Sequence, residues 1–150
     1  MSQIDSTIRE KLLNRFVSHW NDWTYEQKPN CFWVREYELG EAKQKGPNFN
    51  LIWSKDVIWA KSVWLLDEDG LHERTPLDWR RFQILQDREQ STPLVSSNGP
   101  INEIGIGSFA PLGDSKFICE EIWGRRWGGG TVLTMNEAGN VVSEVLTWIS

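Results

Sequence analysis

The sequence predicts an α+β fold made mostly of antiparallel β-sheet: an N-terminal amphipathic helix packed on, or plugging, a strongly bent antiparallel sheet or small β-barrel. Three observations lead there. Helical periodicity occurs once, at the N-terminus. Beyond Pro29, short runs of β-branched and aromatic residues recur between turn residues at roughly ten-residue spacing, enough for seven to nine strands. No further helical period alternates with those strands, which argues against a parallel α/β fold.

The helix is the clearest element. Ile8, Leu12, Leu13, Phe16, Val17, Trp20 and Trp23 recur at three- and four-residue steps, with Arg9, Glu10, Lys11, Asn14 and Arg15 on the other face. That is a 3.6-residue period with one apolar stripe, over about 4–23. Ser2 or Asp5 can accept from the orphan amides of its first turn. The polar residues from Glu26 to Asn30, with Pro29, stop it.

The β-rich region runs over about 31–150. Cys31–Leu39 alternates, with Trp33, Tyr37 and Leu39 on one parity and Phe32 and Val34 on the other. Phe49–Trp53 and Val57–Leu66 are the next strands. Asp67-Glu68-Asp69-Gly70 is a hairpin turn from which Leu71–Thr75 returns until Pro76 stops it. Trp79–Leu85 reads as a further strand, with a helical turn the weaker alternative. Residues 86–100 form a long polar loop, a length that often serves binding.

Four strands follow that loop. Ile101–Phe109 is thin, with Gly105 and Gly107 marking a close backbone approach. Lys116–Trp123 places Phe117, Cys119 and Trp123 on one face and Ile118 and Ile122 on the other. Thr131–Met135 and Val141–Ile149 flank the turn Asn136–Asn140.

Composition narrows the function classes. The 150 residues suit a single domain, 1–150, and ten of them are tryptophan. The net charge of −5 and the lack of a basic stripe disfavour nucleic acid as a partner. No apolar run is long enough to span a bilayer, and the polar N-terminus does not read as a signal peptide. Cys31 and Cys119 read as thiols in a reducing compartment, so the cytoplasm is the expected location.

Local motifs for chemistry are scarce. His19, Cys31, His72 and Cys119 lack the close spacing of a zinc site, so neither metal nor cofactor is expected. Neither cysteine is placed at a helix N-terminus, where its thiol would be activated. Glu36 and Glu38 share strand parity and are read as facing water. Glu120 and Glu121 must face opposite sides, so one of them can point inward. Gly124-Arg125-Arg126-Trp127-Gly128-Gly129-Gly130 lacks the end of a P-loop and reads as an aromatic–basic loop.

The expected ligand-binding residues are Trp59, Trp64, Trp123, Arg125, Arg126 and Trp127. Trp59 and Trp64 point to opposite faces of one strand, so both faces are covered. Trp123 and Trp127 bracket the glycine-rich segment. The leading reading is a non-catalytic protein binding a small apolar or aromatic molecule in a tryptophan-lined cavity. A protein-interaction module, such as an inhibitor or immunity-type protein with a protein partner, is the alternative. An enzyme using carboxylates or His19 and His72 as a cyclase, isomerase or lyase comes third.

Overall fold

The computed structural model describes residues 4–23, 29, 31–46, 48–49, 51, 60–82, 104–123 and 127–149. Helix α1 (Ser6–Asn21) begins where Asp5 Oδ1 accepts from Ile8 N at 2.9 Å, the cap that its unpaired first-turn amides require. Its last residue is Asn21, with Asp22 as the C-cap, so Trp23, the last apolar position of the stripe, falls outside it. The strands are β1 (Cys31–Glu36), β2 (Gln44–Lys45), β3 (Asn48–Phe49), β4 (Ser62–Asp67) and β5 (Gly70–Arg74). After a short helix α2 at 76–82 come β6 (Ile104–Gly113), β7 (Lys116–Trp123), β8 (Trp127–Met135) and β9 (Val141–Ile149).

Seven strands form one sheet in the order β5-β4-β1-β6-β7-β8-β9, and β2 and β3 pair separately. Every pair in the large sheet is antiparallel except β1 with β6, which run parallel. The sheet is open: among the described residues its edges, β5 and β9, do not close into a barrel. Of the two architectures expected, α1 packs on a sheet rather than plugging a barrel.

The expected strand at Trp79 is corrected. Trp79 lies in a helix, not a strand, and the cause is local. Thr75 Oγ1 accepts from Asp78 N at 3.1 Å while Asp78 Oδ2 accepts from Thr75 N at 3.0 Å, a reciprocal capping box around Pro76. Proline at the first helical position has no amide to lose, so the same residue that ends β5 starts α2.

Strand parity sorts the core into two layers. On one face Phe32, Val34, Trp64, Leu66, Phe109, Phe117, Cys119 and Trp123 meet Ile8, Leu12, Phe16 and Trp20 of α1. On the other, Trp33, Tyr37, Val63, Ala110 and Ile118 pack with Phe49, Leu51 and Trp79. The thin stretch of β6 has a reason: a Cβ on Gly107 would stand 2.6 Å from the Phe16 ring and 2.7 Å from Phe32. Glycine there lets two aromatic rings lie directly on the strand.

Glu36 departs from its expected place in water. It belongs to the helix face and is buried, and Arg9 Nε and Nη2 donate to its two oxygens at 2.7 and 3.0 Å. The strand alone presents this carboxylate to solvent; the helix laid over it supplies the cation. Glu120, by contrast, is the inward member of the Glu120–Glu121 pair.

Candidate functional site

The C-terminal half of α1 and the β7–β8–β9 end of the sheet leave a cleft between them. Arg15, Trp23, Cys119, Glu121, Trp123, Gly128, Gly129, Thr131, Leu146 and Ile149 line a volume of about 330 Å³. Its position follows from the sequence. Arg15 and His19 are spaced by four residues along one side of α1, and Trp23, four further on, lies just past its C-cap. Cys119, Glu121 and Trp123 alternate on the helix-facing side of β7.

The aromatic wall is built around Trp123. Phe32 stacks on it at 4.2 Å between ring centroids and 23° between planes, and Trp23 at 4.6 Å and 13°. Trp20 adds a tilted contact at 6.2 Å. Trp123 is therefore held by the core, while Trp23, half-buried, carries the stack out to the cleft.

Charges are arranged at the rim. Arg15 Nη1 donates to Glu144 Oε1 at 2.8 Å, and His19 Nδ1 stands 2.9 Å from Glu121 Oε2. The Cys119 thiol in the lining is pushed up to about 12 by burial, with Arg15 opposing that shift and Glu121 and Glu144 adding to it. A thiol protonated at neutral pH is a poor nucleophile. Cys31, likewise free of any disulfide, is raised to about 11, mainly by burial and then by Asp67. His72 bonds Asp67 Oδ1 at 3.0 Å beyond β4, so the two histidines serve different places and do not form one acid–base pair.

The opposite face of the same strands carries a covered polar row within its apolar layer. Register aligns Arg35, Ser108, Glu120, Gly130 and Trp148 in a row across five strands. Arg35 Nε donates to Ser108 Oγ at 3.0 Å and its Nη2 to the Leu51 carbonyl at 3.1 Å, with the guanidinium 4.7 Å above the Trp79 ring. Burial lowers the Arg35 pKa, and Tyr37 and Glu120 oppose that shift. Glu120 Oε2 accepts from Phe49 N at 3.2 Å and from Trp148 Nε1 at 2.7 Å. The glycines of β8 make the last contact: a Cβ on Gly128 would lie 3.0 Å from the Trp148 ring. These charges clamp residues 49 and 51 over the sheet and are closed to a ligand.

Of the expected site residues, Trp123 lines the cleft. Trp64 is buried in the helix-face core, its ring 6.0 Å from Phe109, and is not among the lining residues. Trp127 pairs with Trp123 at the start of β8, so the glycine-rich segment from Trp127 onward is strand rather than loop. Trp59, Arg125, Arg126 and the 86–100 loop lie outside the described residues. Arg15, Trp23, Glu121, Leu146 and Ile149 were not among the expected ligand-binding residues. The four-residue spacing of Arg15, His19 and Trp23 and the alternation of β7 were the available signals for the first three.

Among the described residues, no group of His, Cys, Asp and Glu gathers as a metal site, and no helix is long and apolar enough to cross a membrane. Comparison with protein-family models, with curated proteins and with solved structures finds no match to this chain.

Proposed function

We propose that this chain is a non-catalytic binding protein that holds a small apolar or aromatic molecule in the cleft between α1 and the β7–β8–β9 end of the sheet. The observation that carries this reading is the near-parallel stack of Trp23 on Trp123, 4.6 Å apart, in a wall continued by Leu146 and Ile149. Paired indoles offer a large rigid apolar surface at low cost in side-chain entropy. A volume of about 330 Å³ sits at the small end of ligand pockets, which run from roughly 300 to 1,000 Å³. The protonated Cys119 and the separated histidines favour binding over catalysis. The acidic charge disfavours a nucleic-acid partner, and the free thiols suit the reducing cytoplasm.

Intrinsic fluorescence tests this reading, because Trp23 and Trp123 form the wall. Titration with aromatic, lipid and sugar compounds is expected to quench or shift the emission with one class. Trp23→Ala should abolish that response while circular dichroism remains native. A chain whose emission responds to none of these classes would overturn the reading.

A further inference from the structure

The charges of the cleft specify more than an apolar guest. Two formal charges of opposite sign line it: Arg15 from the helix and Glu121 from the sheet. Its other lining residues, Trp23, Cys119, Trp123, Gly128, Gly129, Thr131, Leu146 and Ile149, carry none. We infer that the cleft takes a small zwitterion, a molecule with a carboxylate at one end, an ammonium at the other and an apolar or aromatic side group, as in a free amino acid. This rests on the cleft being a ligand site.

Each charged residue is oriented by a neighbour without being used up. Arg15 bonds Glu144 through Nη1, which leaves Nε and Nη2 of a planar five-donor fork. Glu121 meets His19 through Oε2, which leaves Oε1 as an acceptor. Both charges line the cleft together with Cys119, so they share one patch of the lining. A ligand with a carboxylate alone would meet Arg15 favourably and Glu121 unfavourably. A ligand with an amine alone would meet the reverse. Only a zwitterion satisfies both, and the small volume leaves room for a side group against Trp23, Leu146 and Ile149.

Four matched probes separate the possibilities: L-phenylalanine, phenethylamine, 3-phenylpropanoate and the neutral 3-phenylpropanamide, each titrated by calorimetry and by tryptophan emission. L-Phenylalanine is expected to bind at least about tenfold more tightly than each of the others, the scale of one charge-assisted hydrogen bond. Arg15→Gln should reduce its affinity to that of the amine, and Glu121→Gln to that of the carboxylate. Arg15→Lys, which keeps the charge, should retain part of the preference. If the neutral amide binds as tightly as L-phenylalanine, the zwitterion inference is overturned while the apolar cleft stands. If none of the four binds but another aromatic or lipid does, the same holds. If no compound of any class binds, both readings fail.

Discussion

The two faces of the sheet use charge in opposite ways. On the face away from α1, Arg35 and Glu120 are fully buried in one transverse row, and their bonds run to Ser108, Trp148 and the backbone of residues 49 and 51. On the helix face, Arg15 and Glu121 stay partly exposed at the rim of a cleft, each touching one neighbour. Charge removed from water must be satisfied by the protein itself and so becomes structural. Charge left at a rim keeps bonding capacity for something else. The difference separates the groups that hold the fold from the groups that can meet a ligand.

The largest effect should come from the buried row. Arg35→Leu removes the donor to Ser108 and Leu51 and leaves Glu120 without its nearby cation. Losing the buried hydrogen bonds of a charged group costs about 1.5–3 kcal/mol each, and more where a buried charge also loses its nearby counter-charge. Urea denaturation of the variant should show that loss with an unchanged m-value. A loss below about 1 kcal/mol, the scale of exposed ion pairs, would erase the distinction between the two faces.

Packing on the helix face should give an intermediate effect. Gly107→Ala sets a methyl group against Phe16 and Phe32, at distances no ordinary contact allows. Overpacking of a core costs roughly 1–3 kcal/mol. The thermal midpoint should fall, and the near-ultraviolet dichroism of the aromatic layer should change. If the variant melts like the parent, α1 does not press on β6 as described.

Much of this architecture is legible in the chain, for reasons that differ by element. The limits of β7 and β9, Lys116–Trp123 and Val141–Ile149, follow from alternation and the turn residues between strands. The two faces follow from parity, which is why Phe117, Cys119 and Trp123 share one layer and Ile118 the other. What could not be read depends on contacts distant in sequence. Glu36 is buried because Arg9, 27 residues away, covers it. Trp23 stacks on Trp123 from beyond the end of α1, a placement that the helical period alone does not give. The glycines of β8 looked like a loop because their partner, the Trp148 ring, lies on the following strand. The capping box at Thr75–Asp78 was readable, but the aromatic residues that follow imitate a strand.

The smallest effect sharpens the comparison within a single face. Asp67, at the β4–β5 turn, lies on the same side as Arg35 but is half-exposed. Its hydrogen bond from His72, and then that from the Asp69 amide, hold its carboxyl below the usual aspartate range despite some desolvation. A carboxyl depressed in the folded state contributes stability above its unfolded pKa, near 3.9, and loses it as pH falls through the folded value. Asp67→Asn keeps the turn acceptor and removes the charge. The parent should therefore be the more stable chain at pH 5, and the gap should narrow below about pH 4 and close at the acid end. Denaturant midpoints of both chains between pH 5 and pH 2 measure this. A gap that stays constant across that range would show that the carboxylate is not held by these bonds. A gap as large as that of Arg35→Leu would mean that exposure does not set the worth of a charge on this face.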